Sequence, residues 1–400
     1  MSTTTARTPR GRQFFANPGP TNIPDSILKA VAHVSIDFND PAFLTVYDGV
    51  VAGLKRILKT QHEIFLYTGS GHAAWEAALV NIFSPGDALL MIETGHFSES
   101  WAKMAQDFGL EILTLAADWR RGADFAALRA MLAADAAHSI KAVCAVQNET
   151  ATGMELSIAE TRAALDATGH PAMLLVDTIS SLGSLDFRMD EWGVDVAVGG
   201  SQKGLMLPTG LSFTGVSPKA MAAHKTSKLP KSYLNWTNML TRRHKSFIGT
   251  VPTSLFYGLQ ESIRLLEEEG LDQVFARHAR LAEAVRRCVR HWSGNNGPSL
   301  FCENPDRFSN SVTAVLMPDG HNAEDIRKIA LNTFNVSLGG GLGRLGGKVF
   351  RIGHLGDLNE PMILGTLATV EASMRVAGVP HTPGGVNAAI AYLADQARTV

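Results

Sequence analysis

Between residues 63 and 216 seven short runs rich in Val, Ile, Leu and aromatic side chains recur, and helix-length segments separate most of them. The runs are EIFLYT (63–68), DALLMIE (87–93), EILTLA (111–116), KAVCAVQ (141–147), AMLLVD (172–177), DVAVGG (195–200) and LSFTGV (211–216). Between them, segments such as 71–83 and 158–168 are long enough for three turns of helix. Runs that are apolar without alternation suit strands buried on both faces, and strands of that kind interleaved with helices pack as a parallel sheet covered on each side. The alternation therefore predicts an α/β domain around a mostly parallel seven-stranded sheet. In such a sheet ligands bind outside the carboxyl ends of the strands.

The pattern then changes. Residues 253–292 carry apolar positions at helical spacing through SLFYGLQESIRLLEEEG and VFARHARLAEAVRRCVRHW, which reads as a helical bridge to a second unit. SGNNGPS (293–299) is dense in turn formers, and SVTAVLMP, VSLGGG and KVFRIGHLG beyond it read as strands between helices. The expected organisation is a tail over 1–13, a large domain over 14–292 and a smaller α+β domain over 293–400. The sequence shows no internal repeat.

Composition narrows the partners. A chain of 400 residues with 18% charged residues and a formal net charge of -2 offers no basic run for nucleic acid or an anionic membrane, so small molecules are the expected ligands. Cys144, Cys288 and Cys302 are scattered without metal spacing. Neither a disulfide framework nor a metal site is expected, and a reducing cytoplasm fits. No apolar run reaches the roughly 18 residues that span a bilayer. The opening MSTTTARTPRGRQ lacks the apolar stretch of a secretory signal; it imitates a transit peptide in its Thr and Arg, yet reads as a frayed tail.

The residues that could do chemistry follow strands. Asp177 closes AMLLVD, where a carboxylate needs a partner or gives up its charge. Lys203 lies in GGSQKGLMLP after the next strand, among glycines that permit close backbone approach and apolar residues that lower the pKa of an amine. A lysine that forms a Schiff base and an acid that keeps a pyridine nitrogen protonated are what pyridoxal 5'-phosphate most requires. Thr68-Gly69-Ser70-Gly71-His72 ends a strand and opens a helix, so its free amides suit a phosphate. Phe97, after the second run, could stack on a ring, and Arg351 in GGKVFRIGHLG has the fork geometry for an α-carboxylate. A rival reading takes Gly69-Ser70-Gly71-His72-Ala73-Ala74 as a dinucleotide loop with Glu93 as its ribose acid, which would make a nicotinamide-dependent dehydrogenase. That reading leaves VDTISS and SQKG without a use.

NPGPTNIP, TGSGHAAWEAAL, NETATG, LLVDTISSLGSLDFRMDEWGVDVAVGGSQKGLMLPTG and GGKVFRIGHLG together resemble the class V aminotransferases of fold type I, in the serine:glyoxylate and alanine:glyoxylate group. The likeness runs from about residue 14 to 390. It implies that Lys203 bonds covalently to pyridoxal phosphate and that Asp177 pairs with the ring nitrogen. It also implies that Ser70, Gly71, His72 and Gln202 hold the phosphate, Phe97 stacks on the ring and Thr150 hydrogen-bonds the cofactor. Thr250 would reach the phosphate from the second subunit of a homodimer, Arg351 would bind the substrate carboxylate, and Gly19, in Pro18-Gly19-Pro20, would border the substrate. The implied reaction is ping-pong transfer of an amino group from a small L-amino acid, serine first, to glyoxylate, with alanine or aspartate as other donors and pyruvate as another acceptor. Two features depart from the pattern: Phe247 stands where the family has a tyrosine, and TGSGHAAWE follows the alanine branch while NETATG and DFRMDEWGVD follow the serine branch. A lyase of the same fold, such as a cysteine desulfurase, is the other reading that keeps the cofactor, and it needs a mobile cysteine.

Overall fold

The computed structural model describes residues 10–242 and 249–398. The chain opens with β1 (Phe14–Ala16), α1 (Asp25–Val31) and α2 (Pro41–Leu58). Next come β2 (Glu63–Gly69), α3 (Gly71–Ile82), β3 (Ala88–Glu93), α4 (His96–Asp107), β4 (Glu111–Ala116), α5 (Phe125–Ala134) and β5 (Ile140–Val146). A small hairpin, β6 (Asn148–Glu149) with β7 (Met154–Glu155), precedes α6 (Ile158–Thr168), β8 (Met173–Asp177), β9 (Val196–Gly200) and β10 (Gly210–Val216). Helices α7 (Pro218–His224), α8 (Trp236–Arg242), α9 (Thr253–Glu269) and α10 (Leu271–Trp292) follow. The chain ends with β11 (Ser299–Leu300), β12 (Val312–Leu316), α11 (Ala323–Phe334), β13 (Val336–Gly340), β14 (Val349–Gly353), α12 (Glu360–Val376) and α13 (Gly385–Ala397).

All seven apolar runs are strands of one sheet, in the order β2-β10-β9-β8-β5-β3-β4. Only β10 runs against its neighbours; it pairs antiparallel with both β2 and β9, and the other pairs are parallel. Because β10 alone is reversed, β2, β9, β8, β5 and β3 bring their carboxyl ends to the same rim. Side chains alternate across a strand, and both faces are covered here. Leu174 and Val176 of β8 enter one core with Leu54 and Phe213, while Met173 and Leu175 enter the other with Trp75 and Trp101. Each such apolar side chain, fully buried, contributes roughly 1.5–3 kcal/mol relative to exposure.

The second sheet runs β1-β13-β14-β12-β11. Its first member departs from the boundary expected at residue 14, because Phe14–Ala16 pair in parallel with Val336–Leu338 and Ala16 is buried in the C-terminal core. Three residues are too few for a period to show in sequence, but they satisfy backbone groups that β13 would otherwise leave at an edge. The helical segment read as one bridge is two helices, broken at Gly270, whose φ of +82° lies in the left-handed region. Of the second helix, Val274 packs in the core of the large sheet and Leu281, Val285, Val289 and Trp292 pack in the C-terminal core. Among the described residues no helix is long and apolar enough to cross a membrane.

Candidate active site

Asp177 is the last residue of β8 and is 4% exposed. Its Oδ1 accepts from the Ile179 amide at 2.6 Å, and its Oδ2 accepts from the Trp75 indole Nε1 at 2.9 Å. Burial pushes its pKa up to about 6, against the pull of those two donors and of the Lys203 charge. Lys203 follows the neighbouring strand β9, and its Nζ donates to the Pro18 carbonyl at 3.0 Å. Burial first, and then the positive charge of Arg351, bring this amine down to about 8, with Asp177 opposing. Gly19 makes the approach possible: a Cβ there would lie 2.1 Å from Nζ. Thr21 ties the two segments together, its amide donating to the Gln202 carbonyl at 3.1 Å and its hydroxyl to the Lys203 carbonyl at 2.9 Å.

Ser70, Gly71 and His72 stand where β2 turns into α3. Ser70 is the N-cap residue but its side chain makes no capping bond, so the amides of the first turn and the helix dipole present positive character to the cleft. A Cβ at Gly71 would lie 2.3 Å from Ile179 Cδ1, so glycine lets this turn lie against the loop that follows Asp177. Partial burial, with the charge of His96 adding to it, holds the His72 ring below its ordinary pKa. Gln202 places a buried Oε1 here that has no hydrogen-bond partner. Arg351, buried on β14, gives Nε to the Gly340 carbonyl at 2.7 Å and one terminal nitrogen to the Thr150 carbonyl at 3.2 Å. Those two bonds orient the guanidinium and use two of its five N–H groups.

Gly71, His72, Phe97, Thr150, Asp177, Gln202 and Lys203 thus line one cleft of about 480 Å³ that opens to solvent, and Gly19 and Arg351 adjoin it through Lys203 and Thr150. Ser70 caps the helix that forms its edge. Thr250 is exposed and lines no part of it, and Phe247 lies outside the described residues. A roomier cleft of about 810 Å³ beside α2 has only exposed acids, Asp48 and Glu63, among its lining carboxylates. All three cysteines are buried and none lines the 480 Å³ cleft, so no thiol is placed for desulfurase chemistry.

Sequence reasoning missed three side chains at this site. Glu149 is fully buried; its Oε2 accepts from the Phe97 and Ser98 amides at 2.9 and 3.3 Å, and its Oε1 accepts from the Ala151 amide at 3.0 Å. Burial raises its pKa to about 7 despite those donors. Gly95 makes room for it, since a Cβ there would sit 2.3 Å from Glu149 Cγ. Asn148 lines the cleft with a buried, partnerless Oδ1, and Trp75 holds Asp177. The signals were present: Glu149 is an acid just past an apolar strand, as Asp177 is, and Trp75 lies four residues after Gly71 on the same helix face.

An amine and a carboxylate from adjacent strands, facing an anion-binding helix end, define a site for a phosphorylated carbonyl cofactor. The chain belongs to the class-V aminotransferase family, which it matches over residues 13–342. It is 45% identical to the L-aspartate–glyoxylate aminotransferase of Paracoccus denitrificans, covering 93% of this chain and 94% of that protein. It is 43% identical to the serine–glyoxylate aminotransferase of Methylorubrum extorquens, covering 96% and 97%. Among solved structures, the pyridoxamine–pyruvate aminotransferase of Mesorhizobium loti superposes with a TM-score of 0.88 at 27% identity, covering 96% of this chain and 98% of that one.

The family depends on pyridoxal phosphate. The residues present fit that group: an uncapped helix start for the phosphate, a buried acid for the ring nitrogen and a lysine of lowered pKa. With the family in hand, the dinucleotide reading of the glycine loop falls away. Glu93, its supposed ribose acid, instead pairs with Arg344 at 2.7 Å.

Proposed function

We propose that this chain transfers the amino group of a small L-amino acid, serine first, to glyoxylate, working as a cytoplasmic homodimer. The observation that carries the reading is Lys203 and Asp177 on adjacent strand ends within one cleft, with the amine lowered to about 8 and the acid buried. Pyridoxal phosphate, when bound, supplies a carbonyl that takes and returns the amino group and a ring that accepts electrons from the substrate carbon. The chain's own groups do the rest. The amides of Gly71 and His72, with Ser70 and Gln202, would hold the phosphate, Phe97 would stack on the ring, and Thr150 would hydrogen-bond the cofactor.

Asp177 holds a proton on the ring nitrogen. Lys203 would hold the cofactor, and its amine, when free, would take the proton from the substrate Cα and hold it for return. A lysine of pKa near 8 is neutral in a useful fraction at physiological pH, as a base must be. Arg351 binds the α-carboxylate of amino acid and oxo acid in turn, which lets one site serve both half-reactions. Gly19 and Pro18 wall the substrate side. Thr250, exposed in the single chain, reaches the partner subunit's phosphate site in this reading.

Aspartate as donor is the second reading, and the 45% identical relative named for it favours it. The test is a half-reaction screen: the holoenzyme is mixed with serine, alanine or aspartate in turn, and loss of its violet absorption band is followed. Fast bleaching by serine, with glyoxylate restoring the band, is the expected result. Faster bleaching by aspartate would replace the donor, and no bleaching by any amino acid would overturn the function.

A further inference from the structure

Trp75 stands one turn into α3, and its ring joins several parts of the cleft. It lies 4.5 Å from the His72 ring and 6.4 Å from the Phe97 ring, and it stacks on Trp101 at 5.7 Å with planes only 13° apart. Its indole nitrogen donates to Asp177 Oδ2 at 2.9 Å. The residue is 1% exposed, so water is not at hand to take over that bond. Stacking and helix geometry leave the N–H one direction, and Ile179 holds the other carboxylate oxygen at 2.6 Å. The helix that offers its amino end to an anion therefore also holds the acid opposite.

On the reading above, in which Asp177 holds the ring proton, we propose that Trp75 is a positioning residue for this reaction. Its indole N–H fixes the orientation of the Asp177 carboxylate and lowers its basicity, so that the proton stays with the ring nitrogen. Without that donor Oδ2 is a buried oxygen short of a partner, the acid draws the proton to itself, and the ring is a weaker electron sink. The other charged or titratable groups around Asp177 come from separate elements: Lys203 after β9, Glu149 on β6, His72 on α3, and Arg351 on β14 through Lys203 and Glu149.

The test replaces Trp75 site-specifically with 3-benzothienylalanine, which substitutes sulfur for the N–H and keeps the ring shape. Trp75→Phe serves as the genetically simple companion. Pyridoxal phosphate is titrated onto the full-length chain across pH, and Asp177→Asn identifies the acid limb of binding that belongs to Asp177. Loss of a hydrogen bond to a charged acceptor corresponds to about one pH unit, so the limb moves up by about that much in both variants. In turnover, kcat falls about tenfold while KM for the amino acid holds. A limb that stays within about 0.2 pH unit of wild type in both variants, with Lys203 still carrying the cofactor, overturns the role of Trp75 alone. A wild-type chain that binds no cofactor at Lys203 overturns the functional reading and this inference with it.

Discussion

Two regions of this molecule bury polar groups, and they do it differently. Under the second sheet, His354 sits between the Asn310 carbonyl and the Thr313 hydroxyl, each at 2.9 Å. His278 sits between the Val274 carbonyl at 2.7 Å and the Gly356 amide at 3.0 Å. Both nitrogens of each of these two rings have a protein partner. At the rim of the large sheet, Gln202 Oε1 and Asn148 Oδ1 are buried without partners and the start of α3 has no side-chain cap. Two acids there are shifted upward and one lysine downward. Orphaned atoms occur singly elsewhere, as at Trp119 and His381, but at the rim they gather with displaced charges. Burial of a polar group is thus a structural matter when its bonds are complete; bonds left open around shifted pKa values mark a place built for something else.

The comparison breaks most sharply at Lys203. Lys203→Ala removes the group that, in the proposed function, bonds the cofactor and moves the substrate proton; turnover is expected to fall by at least about 10⁴-fold while the fold persists, because the side chain lies at a cleft rather than in a packed core. Borohydride treatment and peptide mass measurement would find the cofactor fixed at Lys203 in wild type and nowhere in the variant. Ordinary turnover by the variant would remove Lys203 from the chemistry.

A smaller effect sharpens the same contrast. Arg351→Lys keeps a positive charge but gives up the fork that the Gly340 and Thr150 carbonyls orient. A point charge cannot replace bidentate recognition, and kcat/KM for the amino acid drops about 10²-fold, mainly through KM. A change confined to kcat would mean that the guanidinium does not bind the carboxylate.

How much of this the sequence revealed follows the same divide. The seven strands were legible because an apolar run buried on both faces leaves its mark within five to seven residues. Asp177 and Lys203 were legible because a charge at the end of such a run conflicts with its surroundings. The short β1 was not, since pairing with residues more than three hundred positions away leaves no local pattern in Phe14–Ala16. Glu149 was not legible inside NETATG, because its three amide donors come from backbone that no side-chain pattern reports. Trp75 reads as core from its spacing, and it is core; only the direction of its N–H makes it part of the site.

The last and smallest effect concerns the satisfied region, and its sign follows from the hydrogen bonds. His278 gives its Nδ1 proton to Val274, so its Nε2 must accept from the Gly356 amide, and a second proton there would face another donor. Burial, with the charge of Arg277 adding to it, takes its pKa from 6.5 down to about 4. The unfolded chain binds this proton below about pH 6.5 while the folded chain refuses it until about pH 4, so stability is complete above the first value and is lost as pH falls toward the second. Between about pH 7 and about pH 5 this one ring costs about 2 kcal/mol of stability. Denaturant melts of the cofactor-free chain across that range measure it. His278→Gln, with a carbonyl oxygen able to accept from Gly356, flattens the slope by that amount. An unchanged slope in His278→Gln would mean that the bonds around this ring do not keep the second proton off it, since the raised pKa values of Asp177 and Glu149 at the rim add stability as pH falls over this range.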